Sequence, residues 1–321
     1  MELSDIETGL KQLEDIVLRG NNAMQKVMCA SDIAFLDTCL IARHYGMKNP
    51  QQWRKAILSL VSGSRTVFVL TPLLVYELQG GAGVQMNHEK VKYLRQLSDE
   101  GACIVYMPEA DMIKAIHQKY NAKWGDINKR LCQKVKELAI RFATIGTILR
   151  NKTCTYRKYI FTSQLPPASD KFLEELFTEL YKNKTSKDSM AEELIAIVSL
   201  YVLEVMADEE KFCIRFFSDD TVAIGLLSNS ILRVFIEAGK YKTVNSVGLL
   251  MSMDIKAQYC DCAELAEDLK RLRENFKSIG VREKVYDMIQ YDSLSFSDLA
   301  NEIWKGKMII FPCIGIYRGN E

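Results

Sequence analysis

Four short apolar runs are spaced along the chain: Ile33-Ala34-Phe35-Leu36, Thr66-Val67-Phe68-Val69-Leu70, Cys103-Ile104-Val105-Tyr106 and Cys213-Ile214-Arg215-Phe216-Phe217. Runs this short and this rich in Val, Ile and Phe read as strands buried on both faces of a parallel sheet. Between them the apolar positions recur at helical spacing, over residues 3–28, 38–45, 88–98, 127–149 and 191–206. Asn49-Pro50 opens a further helix that ends near Gly63, and Thr71-Pro72 opens another, with a capping hydroxyl followed by proline at the first helical position. Residues 127–149 set Ile127, Leu131, Val135, Leu138, Phe142, Ile145 and Leu149 on one stripe. Lys129, Arg130, Lys134, Lys136 and Arg141 fall off that stripe, toward solvent or a polyanion. Beyond Ser230 the pattern weakens: it predicts a strand at 243–251, helices at 262–276 and 281–290, and a short strand at 308–311. Strands alternating with helices predict an α/β fold with a central parallel sheet flanked by helices.

Composition narrows this reading. A chain of 321 residues that is 48% hydrophobic can bury a sizeable core in one large domain or two smaller ones. Six prolines and seventeen glycines argue against extensive disorder or an all-β design. Gly80-Gly81-Ala82-Gly83 follows a helix and lacks a Lys-Ser/Thr pair, so it reads as a flexible loop near the site and not as a phosphate cradle. No apolar stretch approaches bilayer length, and the polar, acidic N-terminus is unlike a signal peptide, so a cytoplasmic protein with no membrane partner is expected. The nine cysteines are scattered and odd in number, as buried free thiols would be. Cys260 and Cys262 lack a second pair, and the three histidines lack ligand spacing, so zinc is not expected. The net charge of +1 is unevenly spread, and residues 114–158 carry only Asp126 and Glu137 amid many Lys and Arg. That stretch is either an anion-binding face or a solvated helix surface.

Four acids stand apart from these solvated charges. Asp37 ends the first apolar run, Glu77 lies in the second turn of the helix opened by Pro72, Glu192 opens the helix at 191–206, and Asp219 follows the fourth run with Asp220 beside it. A carboxylate at a strand end points into the crevice where α/β sheets bind ligands. Several carboxylates meeting there repel one another unless a divalent cation holds them together. Each acid also has a plainer reading. Asp37 could cap the helix after it, Glu192 beside Glu193 could offset a helix dipole, and Asp219-Asp220 could be an N-cap pair. Glu77, inside an apolar helix, is the hardest to explain as solvated.

Taken in order, these motifs resemble those of the PIN-domain nucleases. In that family an aspartate ending the first strand precedes a small polar residue, as in Asp37-Thr38. A glutamate follows in the helix after the second strand, as Pro72 to Glu77-Leu78 reads here. A third acid opens a helix in the context of Glu192-Glu193-Leu194-Ile195-Ala196, and a Ser-Asp-Asp motif follows a strand, as in Ser218-Asp219-Asp220 with Ala223 beyond it. The third acid is open among Asp188, Glu192 and Glu193, and helix phase and context favour Glu192. The resemblance covers about residues 33–250. It implies a three-layer PIN-like domain over residues 31–250, with a helical insertion near 110–185 that carries the basic helix. An N-terminal helix (1–30) and a mainly helical C-terminal extension (251–321) flank it.

The chemistry implied is metal-dependent hydrolysis of phosphodiester bonds by an endonuclease, in RNA before DNA, leaving a 5′-phosphate. Asp37 and Asp219 would ligate Mg2+ or Mn2+ directly, and Glu77 and Glu192 would complete the shell or act through water. Asp220 and Glu193 would support it, while Thr38 and Ser218 would hydrogen-bond the carboxylates or the scissile phosphate. Lys129, Arg130, Lys134, Lys136 and Arg141 would hold the nucleic acid. A protein partner or a second copy could dock on the N-terminal helix or the C-terminal extension. RNA turnover, toxin action and antiviral defence are all compatible roles. The alternatives are a PIN-like scaffold that binds RNA or a partner without cutting, and a structure-specific DNA nuclease. The latter is disfavoured because no helix-hairpin-helix Gly-x-Gly motif is recognisable.

Overall fold

The four apolar runs form strands, and helices fill the intervals between them. The computed structural model describes residues 1–185, 188–231, 233–253, 255–272, 278–285, 288–306 and 309–313. A 3₁₀ turn (Leu3–Ile6) leads into α1 (Glu7–Gln12), β1 (Val17–Leu18) and α2 (Gly20–Met28). Next come β2 (Asp32–Leu36), α3 (Thr38–His44), α4 (Pro50–Leu60), β3 (Thr66–Leu70), α5 (Pro72–Gln79), α6 (His88–Asp99) and β4 (Cys103–Tyr106). A helical stretch follows: α7 (Glu109–Tyr120), α8 (Trp124–Ala139), α9 (Ala143–Arg150), α10 (Arg157–Phe161), α11 (Lys171–Lys182) and α12 (Met190–Val205). The sheet resumes with β5 (Cys213–Phe217), then α13 (Thr221–Ser230), α14 (Arg233–Glu237), β6 (Tyr241–Val244) and α15 (Ser246–Ser252). The chain continues through α16 (Ile255–Gln258), α17 (Cys262–Leu272), β7 (Ile279–Val285), β8 (Met288–Leu294), α18 (Phe296–Trp304) and β9 (Ile309–Cys313).

The first six strands make one parallel sheet in the order β1-β4-β3-β2-β5-β6. Phe68 at the centre of β3 is in register with Ala34 of β2 on one side and Ile104 of β4 on the other. From β2 the sheet grows one way through β3 and β4, and later the other way through β5 and β6. The strand order therefore reverses between β2 and β5. A smaller antiparallel sheet has the order β8-β7-β9. No helix among the described residues is long and apolar enough to cross a membrane.

The chain divides into two compact units that interleave along the sequence. The first comprises Met1–Phe35, Ser64–Arg215 and Leu226–Lys242; the second comprises Leu36–Gly63, Phe216–Gly225 and Thr243–Glu321. In the first, α12 is buried on almost every side from Met190 to Leu203, as befits a helix with no polar face. Its core continues through Phe68, Leu97, Ile104 and Ile113. In the second, α15 packs on α4 and α17 on α18, around Trp53, Ile57, Leu249, Leu265 and Leu299.

Several expected elements differ. Residues 3–28 are not one helix: Gly20 takes φ +57, and Val17 and Leu18 pair with Ile104 and Val105 as an edge strand. The helix expected at 127–149 is broken into α8 and α9. The break is stabilised because the Ala139 carbonyl accepts from Arg150 Nη2 at 2.8 Å and lies tight against Gly146, where any Cβ would collide with it. Ile140 is left 69% exposed at the turn. The strand expected at 243–251 is only Tyr241–Val244, after which Asn245 caps α15 by accepting from Gly248 N at 2.8 Å. Residues 281–285 and 288–290 belong to the antiparallel strands β7 and β8, so the described part of the C-terminal extension mixes strands with helices. The helix expected at 262–276 is α17, with residues 273–277 outside the described ones. The terminal strand expected at 308–311 is β9, with Met308 also outside them. Gly80, at φ +83, terminates α5 as a left-handed C-cap, a conformation glycine adopts without strain.

Candidate acidic site at the strand ends

Asp37 follows β2 and Asp219 follows Ser218 at the end of β5, the two neighbouring strands between which the sheet order reverses. In open parallel sheets this reversal, at the carboxyl ends of the strands, is where ligands bind. All the residues of this cluster belong to the second unit. The backbone joins the two strand ends, since Asp37 N donates to Phe217 O at 2.9 Å and Ser218 N to Val244 O at 2.9 Å.

Each aspartate is held by a serine from the next strand end. Ser218 Oγ donates to Asp37 Oδ2, and Cys39 Sγ donates to the same oxygen at 2.9 Å. Thr38 Oγ1 stands 3.4 Å from Asp37 Oδ1. Although Asp37 occupies the N-cap position of α3, its side chain makes no capping hydrogen bond. Ser246, at the start of α15, donates its N–H to Asp219 Oδ1 at 2.7 Å and its hydroxyl to Oδ2. Arg43 Nη1 lies 3.8 Å from Asp219 Oδ2 and donates to the Asp219 carbonyl at 3.1 Å. Asp220 does act as a cap: its Oδ1 accepts from Val222 N at 2.7 Å, while its own N–H donates to Ser218 Oγ at 3.0 Å.

Asp37 is 4% exposed, and burial raises its carboxyl above the ordinary value. The hydrogen bonds from Cys39 and Ser218 oppose that rise, and the charge of Asp220 adds to it. Burial also pushes the Cys39 thiol well up, so it is a proton donor and not a thiolate. His44, fully enclosed, is pushed down to about 4 by burial, against the pull of Asp219.

The remaining expected site residues lie in the first unit. Glu77 sits in the second turn of α5, as expected, with Oε1 2.9 Å from Lys184 Nζ. That lysine also meets Asp188 Oδ1 at 2.7 Å. Glu192 is half-buried near the start of α12. Glu193 is fully buried, accepting from Thr144 N at 3.1 Å, Ile145 N at 2.7 Å and Ser189 Oγ at 2.9 Å. It therefore supplies the cap that Phe142, at the N-cap of α9, cannot.

Of the five basic residues, Lys129, Arg130, Lys136 and Arg141 are exposed. Lys134 is the exception: it is buried between Glu204 at 2.6 Å and Glu137 at 2.9 Å, so it does not project to a polyanion. Burial of the apolar stripe carries this lysine stem down with it. The described cysteines are free thiols, of which Cys132, Cys154 and Cys213 are buried.

The sequence reading missed Cys39, Arg43, His44 and Ser246. A strand placed at 241–244 would have exposed Ser246 as a strand-end serine like Ser218. His44 and Arg43 lie on the helix that starts after Asp37, within two turns of it.

Among the described residues no three His, Cys, Asp or Glu side chains are gathered as ready metal ligands. The chemistry of the strand-end donors nevertheless fits a hard divalent cation. They are carboxylate and hydroxyl oxygens, the donor type such a cation takes. No protein-family model, no curated protein and no solved structure matches this chain.

Proposed function

We propose that this chain is a metal-dependent endonuclease of the PIN-like kind, hydrolysing phosphodiester bonds in RNA in preference to DNA. One observation carries the reading: two buried aspartates follow adjacent parallel strands at the reversal of the sheet, each oriented by a serine hydroxyl. Burying an acid costs several kcal/mol unless its charge is answered, so such a pair fits a function better than a structural need. Asp37 and Asp219 would hold Mg2+ or Mn2+, which when bound supplies Lewis acidity toward water and a phosphodiester oxygen. Ser218 and Ser246 keep the carboxylates in place, and Thr38 adds a further hydroxyl beside Asp37. Exposed Lys129, Arg130, Lys136 and Arg141 are candidate phosphate contacts. Glu77 and Glu192 remain candidates through their motifs, each testable as its Gln variant.

The test is incubation of purified protein with labelled single-stranded RNA and DNA in Mn2+, then with EDTA. Wild type should cut RNA only with metal, and Asp37→Asn and Asp219→Asn should each lose cleavage while keeping their circular dichroism. Cleavage by both variants at the wild-type rate would overturn the assignment. A second reading, a PIN-like scaffold that binds RNA without cutting, is favoured by the ion pair that already neutralises Glu77. It predicts RNA retention by wild type with no cleavage in any divalent metal.

A further inference from the structure

Asp219 is the first member of a chain of groups that a bare strand-end acid does not require. Its Oδ2 accepts the Ser246 hydroxyl, and Ser246 Oγ in turn lies 2.8 Å from His44 Nε2. A serine hydroxyl has one proton. With that proton given to Asp219, the oxygen must accept from His44, which assigns the imidazole its Nε2–H tautomer. The direction of the chain is therefore set: His44 Nε2–H to Ser246 Oγ, and Ser246 O–H to Asp219 Oδ2. Both upstream residues are fully buried, and the His44 ring is braced against Trp53 with centroids 4.9 Å apart.

The same three residue types make a nucleophilic triad in many hydrolases, but their order here rules that out. In a triad the histidine stands between acid and serine and takes the serine's proton. Here the serine stands between acid and histidine, gives its proton to the acid, and has no exposed surface through which to meet a substrate. What the chain can do is fix the acid. Two donors from one residue, Ser246 N–H and Oγ–H, grip both carboxylate oxygens, and His44 fixes the hydroxyl that forms the second grip. Outer hydrogen bonds of this kind typically change metal affinity by about 10–100-fold.

We propose that His44 and Ser246 are positioning residues that hold the Asp219 carboxylate in a single orientation for a divalent cation; this rests on the metal-site reading above. The test needs no substrate: titrate metal-free protein with Mn2+ and read the free ion by electron paramagnetic resonance. Ser246→Ala and His44→Ala should each weaken Mn2+ binding about 10–100-fold. His44→Gln, which keeps a donor near Nε2, and Ser246→Thr, which keeps the hydroxyl, should each recover most of it. The rescue pairs separate positioning from folding, since circular dichroism selects the variants that fold. Wild-type affinity in folded His44→Ala and Ser246→Ala, beside a wild type that binds Mn2+, would overturn the positioning role alone. A wild type that binds no Mn2+ would overturn the metal-site reading and this inference with it.

Discussion

Replacing Glu193 with alanine should destabilise the fold by about 4 kcal/mol. The side chain is fully buried and accepts from two backbone N–H groups in the first turn of α9 and from Ser189 Oγ. Phe142 at the N-cap offers no side-chain oxygen to replace it. Each buried donor left unmade costs about 1–3 kcal/mol, and the two amides together give about 2–6 kcal/mol. The lost attraction between a carboxylate and a helix N-terminus adds to this, by up to about 2 kcal/mol in partly buried geometries. Ser189 can turn to water and contributes little. Glu193→Gln keeps one oxygen for one amide and should lose roughly half as much. Glu192→Gln, one residue away but half-buried, should stay within about 1 kcal/mol of wild type. Equilibrium urea unfolding followed by circular dichroism measures all three. If Glu193→Ala unfolds within about 1 kcal/mol of wild type, Glu193 is not the cap. If Glu193→Gln keeps wild-type stability but loses cleavage, its place is in the catalysis and not in α9.

Three further outcomes are expected. Burial raises Glu109 from 4.5 to about 7 despite a hydrogen bond from Tyr181, so its contribution is present at low pH and is lost as pH rises between those values, by about 3 kcal/mol. Melting temperature should therefore fall across that window in wild type and fall less in Glu109→Gln; equal slopes would refute this. Replacing Lys129, Arg130 and Lys136 by Gln should flatten the slope of log RNA affinity against log salt by roughly 0.7 per lost contact. Lys134→Gln should leave that slope alone and lower stability, and fluorescence anisotropy across salt concentrations distinguishes the two outcomes. Mn2+ at a hundredfold excess over its dissociation constant should add about 2.7 kcal/mol, or about 4 °C in melting temperature for a chain this long. Asp37→Asn should melt higher than wild type without metal and gain less with it; identical metal-induced gains in the two proteins would reject Asp37 as a ligand.

The central strands were legible because a strand buried on both faces carries no polar alternation to confuse it with anything else. Thr66–Leu70 and Cys213–Phe217 begin and end where their apolar runs do. Thr71-Pro72 likewise marks α5, with Thr71 Oγ1 accepting from Leu74 N. What failed depended on partners distant in sequence. The break between α8 and α9 is fixed by Glu193 and by the close approach at Gly146, and an unbroken apolar stripe runs straight across it. Residues 281–285 mix charged and apolar side chains in a pattern that suits either a helix or a strand, and pairing with β8 and β9 decides for the strand. α7 went unread although Pro108 and the acids Glu109 and Asp111 mark its first turn. At the site, the acids were legible as strand-end residues, but Ser246 was hidden inside a strand expected too far along the chain.

The acids also differ in what answers their charge, and this ranks them. Lys184 answers Glu77 at 2.9 Å, backbone amides answer Glu193, and Arg43 stands by Asp219. Asp220 is spent as a helix cap and remains exposed to water. Asp37 is buried with neutral donors on it, among them a thiol, two hydroxyls and the Cys39 backbone, and with no cation paired to it among the described residues. A hydroxyl can orient a carboxylate, but it cannot supply the countercharge that burial makes necessary. A group in that position either takes a proton, as its raised carboxyl value indicates, or takes a cation from solution. The two responses compete for the same oxygen lone pairs. Mn2+ binding should therefore strengthen as pH rises through the Asp37 titration, and Asp37→Asn should remove that part of the pH dependence. If Mn2+ binds equally well on both sides of the titration, the cation is held elsewhere and Asp37 is simply a protonated strand-end acid.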